Sequence, residues 1–286
     1  MHIFTYLWMN IRIKILNKKI LLFFAMIITI SWRDTDPIRQ MSISVDYPVS
    51  GCLFPFLICS FTFLVFFWFG VIFVNSDAPF MQVINMYHMV RTGRKVWAAG
   101  QLLGIIFRAF LLTAGTAICA MLPVLFRLDV SSGWGRFLHT AAMTNAQELY
   151  GFEYIIYYES LVRFTPLGLM FLSILVTSLV ASFIGILMFL LGLYAGRGIS
   201  IAVVTGLALA LFPVINMAAQ VRQKLAFFVP TIWPEVARIF VPEYGYYWMP
   251  SIHYILFFLL IGIFVMAGLI LWKVERAEFQ WENEEV

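Results

Sequence analysis

The sequence predicts an all-α polytopic membrane protein with about six transmembrane helices. Its 286 residues are 62% hydrophobic and only 12% charged, and the mean hydropathy is +0.91. A soluble domain carries about a quarter charged residues. Half that share, combined with long apolar runs, indicates that most of the chain is surrounded by lipid.

Six apolar runs approach the roughly 20 residues that a helix needs to cross a bilayer. The first reaches that length only if Lys18 and Lys19 extend their charged ends toward the interface. We interpret residues 1–286 as one transmembrane domain with a loop at residues 33–50 and a cytoplasmic tail at residues 273–286. Residues 1–17 mix apolar and basic side chains, which predicts an interfacial helix. The predicted spans cover about residues 15–32, 52–74, 98–126, 166–194, 199–217 and 253–272.

The distribution of basic residues predicts the orientation in the membrane. With six spans, ten Lys and Arg residues outside the spans or at their ends lie on the side of the termini, and eight lie on the other side. Basic residues favour the cytoplasmic side, and the N-terminal cluster usually dominates. We therefore expect a plasma-membrane protein with both termini in the cytoplasm. The net charge of +4 is explained by these loop charges and does not indicate nucleic-acid binding.

Residues 75–101 form a polar segment between two spans and carry a cluster of basic residues. Pro79 suits the first turn of a helix, and Gly93 suits a left-handed C-cap. We predict a short amphipathic helix over about residues 79–92, lying across the mouth of the bundle. The alternative is a surface helix that only joins two spans. The predicted apolar face consists of Phe80, Val83, Ile84, Tyr87 and Val90.

Arg108 is the only formal charge well inside an apolar run. About 16 Å of helix separates it from Trp97 at 1.5 Å per residue, which would put the charge near the middle of the membrane. Two interpretations stay open. Arg108 either faces the bundle or a wet cavity and has a functional partner, or it extends to the cytoplasmic headgroups.

The sequence contains no motif that predicts an enzyme or a nucleotide site in this chain. It lacks the phosphate loop G-x-x-x-x-G-K-[ST], the zinc motif H-E-x-x-H and the nucleophile motif G-x-S-x-G. The four histidines have no metal-ligand spacing, and the three cysteines fall in apolar segments. We expect no cofactor and no metal in this chain.

Residues 127–165 interleave charged and aromatic residues, which predicts an interfacial element. Residues 218–251 combine four prolines with Trp and Tyr, which predicts broken interfacial or re-entrant helices.

The order of these parts resembles a known family. A basic start, MNIRIKILNKKILLFF, leads into the first span, and a short helix ending RTGRKVWAAGQLL links the second and third. A tight turn at residues 195–198 and a Pro-rich aromatic segment before the last span follow. This layout is similar to the permease subunit of ATP-binding-cassette (ABC) exporters of the second type, which include drug, polysaccharide and bacteriocin-resistance permeases. Residues 127–165 are longer than the hairpin expected there in that family.

The resemblance implies a set of roles and partners. Residues 1–17 would be an elbow helix and residues 79–92 a coupling helix that contacts a cytosolic ABC ATPase, where ATP and Mg are bound. A second permease subunit, identical or paralogous, would complete the substrate path through the bilayer. The implied ATPase contacts are Tyr87, His88, Arg91, Arg94 and Arg197, and the implied extracellular gate is Pro230, Trp233, Pro234 and Glu235.

Three functions are compatible with this reading. The first is export of an amphiphilic compound, peptide or lipid-linked substrate, with hydrolysis in a partner chain. The second is a permease-like subunit that performs mechanical or signalling work without transport. The third is an intramembrane enzyme, which would need paired polar residues inside the spans. Only Asn216 and Arg108 are strongly polar there, which disfavours the third.

Overall fold

The computed structural model describes residues 17–80, 83–129, 133–242 and 245–276. Of the predicted interfacial helix only residue 17 is included, and residues 277–286 of the predicted tail also lie outside the described residues. The described chain is mainly helical. Its one sheet pairs β1 (Val49–Ser50) in parallel with β2 (Leu128–Asp129). The helices in chain order are α1 Lys18–Val45, α2 Phe54–Leu57, α3 Phe61–Asn75, α4 Val83–Thr92, α5 Arg94–Met121, α6 Gly135–Met143, α7 Ala146–Tyr150, α8 Tyr158–Arg163, α9 Pro166–Ala195, α10 Arg197–Leu209, α11 Leu211–Asn216, α12 Ala219–Ala226, α13 Val236–Ile239 and α14 Ile252–Arg276, with 3₁₀ turns at Leu122–Arg127 and Pro230–Ile232.

Four helical stretches in the described chain are long and apolar enough to cross a membrane. They match the last four predicted spans, and together they show an all-α membrane protein. Six spans remain a prediction, because α3 has only 15 residues and the second half of α1 is charged. The last helix continues to Arg276, so the first residues of the predicted tail are helical. The four stretches are Arg94–Arg127, Pro166–Ala195, Arg197–Asn216 and Ile252–Arg276.

The predicted loop at residues 33–50 is wrong, because α1 continues as a helix to Val45. The charges in this region pair with one another along the helix: Arg33 with Asp34, and Arg39 with Asp36. Asp34 is fully buried and also accepts a 3.2 Å hydrogen bond from the Ser60 hydroxyl. These ion pairs and the hydrogen bond offset the cost of burying polar side chains, so the helix does not need to end where the apolar run ends.

The predicted second span is interrupted. The structure divides it into α2 and α3, separated at residues 58–60. Ser60 caps the N-terminus of α3, where its hydroxyl accepts a hydrogen bond from the Phe63 amide. A Ser N-cap satisfies one of the free amides of a new helix, and the same hydroxyl donates to Asp34. The break therefore lies where a polar contact from α1 is available.

The long helix α9 is the centre of the bundle. It is apolar on all sides and packs against α3, α5, α10 and α14. Close approach to α5 needs a glycine: a Cβ atom built on Gly185 would lie 2.6 Å from Cγ2 of Ile105. A helix that is hydrophobic all round is expected in the core of a bundle or a membrane.

The two ends of the bundle differ in composition. The basic end consists of the start of α1, the end of α3, α4, the starts of α5 and α10, and the end of α14. The far end consists of the β1–β2 pair, α6 to α8, and residues 218–242 and 245–251. Helices α6 to α8 combine buried and exposed apolar residues: Phe137 is buried, whereas Leu149 is 79% exposed. The interfacial position of residues 127–165 stays a prediction.

Candidate functional site at the basic end

An ion-pair cluster ties three elements together at the basic end. Lys19 at the start of α1 pairs with Asp77 and also donates a 2.8 Å hydrogen bond to the Ser76 hydroxyl. Arg197, at the α9–α10 turn, donates a 2.8 Å hydrogen bond to the Ser76 carbonyl, and its guanidinium lies 3.8 Å from Asp77. The segment that leads from α3 toward α4 is therefore held from two sides.

The short helix α4 is anchored by the residues that precede it. The Phe80 ring is fully buried and packs edge-on against Phe189 of α9 at 5.4 Å between ring centroids. Asn85 in the first turns of α4 donates a 3.0 Å hydrogen bond to the Phe80 carbonyl. A Cβ on Gly192 would lie only 3.0 Å from Pro79, so this chain segment packs tightly on α9.

The residues of the predicted apolar face are divided in the structure. Phe80 is fully buried, whereas Tyr87 and Val90 are 66% and 78% exposed. Among the α4 side chains that the structure describes, the bundle buries Asn85 and Met89, which are one turn apart. Arg91 is exposed beside Val90. The outward face of α4 therefore combines an aromatic ring, an aliphatic side chain and a positive charge.

The predicted limits of this helix also change. Pro79 and Phe80 are not helical, the helix is described over Val83–Thr92, and Asn75 belongs to the end of α3. Gly93 has φ 86° and ψ 153°, so it is not a left-handed C-cap but the residue that precedes α5. Its positive φ permits the sharp change of direction between the two helices.

His88 is half-buried on α4. Burial lowers the pKa of His88 below 6.5, and the nearby charge of Arg91 lowers it further. His88 is consequently neutral at pH 7. Of the predicted contacts on this helix, Arg91 alone adds a fixed positive charge.

Arg94 and Lys95 connect the start of α5 to the end of α14. The Arg94 guanidinium donates a 3.0 Å hydrogen bond to the backbone carbonyl of Glu275, and Lys95 pairs with the Glu275 carboxylate at 2.7 Å. Basic side chains at a helix C-terminus satisfy its free carbonyls and its negative dipole. Arg94, predicted as an ATPase contact, thus fixes the last span to the start of α5.

Arg108 lies inside the bundle, with 8% of its surface exposed. Its guanidinium carbon lies 5.7 Å from the centre of the Phe80 ring. The side chain therefore points back toward the basic end, the direction expected of long side chains on a helix. Its burial fits the interpretation in which Arg108 faces the bundle, whereas its direction toward the basic end is the one that the headgroup interpretation requires.

The predicted gate residues lie together, away from the basic end. Pro230, Trp233, Pro234 and Glu235 are all buried. The Trp233 indole donates a 2.7 Å hydrogen bond to the Ala226 carbonyl, and its ring packs against Phe258 of α14.

The segment that holds these residues enters the bundle between α3 and α10. Trp68, near the middle of α3, donates a 2.8 Å hydrogen bond to the Thr231 carbonyl. The Thr231 hydroxyl in turn donates to the Leu207 carbonyl of α10. These contacts fix residues 230–239 between two long helices.

Two polar residues of the structure escaped the sequence reasoning. Asp34 falls in the predicted loop at residues 33–50, and Asp77 falls in the polar segment at residues 75–101 without a predicted partner. Proximity of Asp77 to Lys19 and Arg197 depends on tertiary packing, which no local pattern reveals. Within the described ranges, no group of three His, Cys, Asp or Glu side chains could hold a metal ion.

Comparison with protein-family models, curated proteins and solved structures gave no match. The fold and composition define the chain as an all-α membrane protein.

Proposed function

We propose that this chain is the permease subunit of an ABC exporter of the second type. In this proposal it moves an amphiphilic compound, peptide or lipid-linked substrate with energy from ATP hydrolysed, with Mg, by a separate cytosolic ATPase. The chain itself would not be an enzyme. Two permease subunits would enclose the path in the plasma membrane, with both termini in the cytoplasm.

The observation that supports this function best is the construction of α4. It is a ten-residue helix outside the apolar spans, with Tyr87, Val90 and Arg91 exposed. An outward face with an aromatic ring and an Arg is typical of protein-binding surfaces. On its other side, α4 is linked to the bundle through Phe80 and the Ser76–Asp77 segment. Such a helix can receive a partner and transmit its movement to the spans.

Coupling would proceed through contacts at the basic end. Displacement of α4 would pull on the Phe80 ring, which packs on α9, and on Asp77, which pairs with Lys19 of α1 and Arg197 of α10. Arg94 would transfer the same movement to α14. The long helices would thus change tilt together, and residues 230–239 at the other side would open or close.

Mechanical or signalling work without transport is the second candidate. It is favoured by the extended far end, in which α6, α7 and α8 lie between the third and fourth predicted spans. Both candidates need an ATPase partner, so they share the first test. They differ in whether a substrate crosses the membrane.

The test is a double change on α4, Tyr87→Ala with Arg91→Glu, in the full-length protein. We expect normal membrane insertion but no co-purified ATPase after mild-detergent extraction and cross-linking. Arg136→Glu at the exposed far end is the matched charge-reversal control and should retain the partner. Equal recovery of the ATPase with the double variant and with wild type would overturn the assignment of α4.

A further inference from the structure

Arg108 is a buried charge that lacks an ion-pair partner in contact with it among the described residues. It lies 14 residues after Arg94, about 21 Å along the helix at 1.5 Å per residue. Its Nε atom is buried and forms no hydrogen bond with the described chain. A buried charge is strongly destabilising unless it is paired and hydrogen-bonded. The Phe80 ring at 5.7 Å provides a cation–π contact but no hydrogen bond.

A second polar atom of the same kind lies close by. The Oδ1 atom of Asn75 is buried without a hydrogen-bond partner in the described chain, although its amide donates to the Val71 carbonyl. A Cβ on Gly185 would lie 3.4 Å from this Oδ1 atom and 2.6 Å from Ile105. Ile105 precedes Arg108 by three residues and lies on the same face of α5. Asn75 and Arg108 therefore border one region between α3, α5 and α9.

The local charge balance is positive. Asp77 is the carboxylate whose charge acts on Arg108. It is already paired with Lys19 and lies 3.8 Å from Arg197. In this part of the described chain, three cations share one carboxylate, so an anion from outside the chain would be stabilised here.

We propose that Arg108, with Asn75 beside it, binds the phosphate or carboxylate headgroup of an anionic amphiphile. A guanidinium presents five N–H donors in a plane, and phosphate and carboxylate accept two of them at once. The apolar chain of the ligand would lie along the outer side of α5, where Phe107 and Phe110 are 42% and 52% exposed. The ligand is either a lipid of the bilayer or an exported compound with the same headgroup chemistry. This inference does not depend on transport, because a lipid at Arg108 needs no ATPase.

The test uses the full-length protein in phosphatidylcholine vesicles with or without phosphatidylglycerol. Native mass spectrometry measures the phosphatidylglycerol retained, and thermal unfolding measures its stabilising effect. We expect wild type to retain phosphatidylglycerol and Arg108→Gln to bind it about tenfold more weakly, the ratio expected for loss of a charged hydrogen-bonding partner. Arg136→Gln removes an exposed cation at the far end, which is the matched control, and should behave as wild type.

Equal retention of phosphatidylglycerol by wild type and Arg108→Gln would overturn the proposal. If Arg108→Gln does not fold, Arg108→Lys replaces it, because Lys keeps the charge but loses the two-pronged contact. If Arg108→Lys bound phosphatidylglycerol as strongly as wild type, that result would also contradict the proposal. Solvent extracts of protein purified from native membranes identify the source: a bulk phospholipid or a different anionic amphiphile. The bound molecule must be depleted in the extract of the Arg108 variant. Extracts of wild type and variant with the same content of this molecule would contradict the site.

Discussion

The guanidinium of Arg197 donates a 2.8 Å hydrogen bond to the backbone carbonyl of Ser76. The two residues are 121 positions apart in the chain. This contact joins the tight turn between α9 and α10 to the segment that precedes α4. The resemblance to ABC permeases assigned the turn and α4 to the same ATPase surface. The hydrogen bond connects the turn to the segment that precedes α4, and Lys19 attaches α1 to the same segment.

Asp77→Asn should weaken this junction. The variant loses the ion pair between Asp77 and Lys19 and the attraction between Asp77 and Arg197. The side chains of Asp77 and Lys19 are each about a quarter exposed. Partly exposed pairs contribute about 1 kcal/mol or less. We expect a fall of that size in the free energy of unfolding, measured by thermal unfolding in detergent. Asp46→Asn removes the exposed pair with Arg127 and should cause no resolvable change. A larger effect at Asp46 would contradict this ranking.

Ser60→Ala should destabilise the protein more than loss of an ordinary helix cap. Ser60 caps α3 and also donates to the buried carboxylate of Asp34. Loss of a cap costs about 1 kcal/mol, and a buried acceptor deprived of its donor costs roughly 1–3 kcal/mol more. Thr165→Ala removes only the cap of α9 and provides the comparison. Equal losses of unfolding free energy in the two variants would show that the bond to Asp34 contributes nothing.

Gly185→Ala should separate α9 from α5. The new Cβ would lie 2.6 Å from Cγ2 of Ile105, and overpacking of this kind costs about 1–3 kcal/mol. Gly268→Ala in α14 meets no atom within 4 Å and should be neutral or stabilising by up to about 1 kcal/mol. Thermal unfolding of the two variants checks the difference. A stable Gly185→Ala protein would mean that the two helices approach less closely than described.

Orientation can be tested with single cysteines in a background where Cys52, Cys59 and Cys119 are replaced. Tyr87→Cys reports on the basic end, and Leu149→Cys reports on the far end, where Leu149 is 79% exposed. With the basic end in the cytoplasm, a membrane-impermeant maleimide should label residue 149 in intact cells and residue 87 only after permeabilisation. The reverse pattern would invert the proposed topology.

The sequence allowed prediction of the helices that depend on composition alone. Each of the last four spans is a long apolar run. In lipid such a run forms a helix, because its backbone N–H and C=O groups must bond to one another. The course of α1 beyond residue 32 depends instead on the contact between Asp34 and Ser60. That contact brings together residues 26 positions apart, so the local charge pattern suggested a loop.

The faces of α4 failed for a related reason. Apolar spacing grouped Tyr87 and Val90 with Phe80, but only Phe80 of these three is buried. The helix is rotated so that Asn85 is buried and donates a hydrogen bond to the Phe80 carbonyl. One specific hydrogen bond and the packing of Phe80 decide the rotation of so short a helix. The roles of the candidate residues come from the family resemblance and remain proposals.

The most direct test of the proposed coupling role is site-specific photo-cross-linking from position 87 in native membranes. A photoreactive amino acid replaces Tyr87, which is 66% exposed on α4, and mass spectrometry identifies the captured proteins. We expect a stoichiometric cytosolic ATPase with a phosphate loop to be captured from position 87 but not from position 149. Capture of no ATPase from position 87, in a protein that inserts normally, would contradict it.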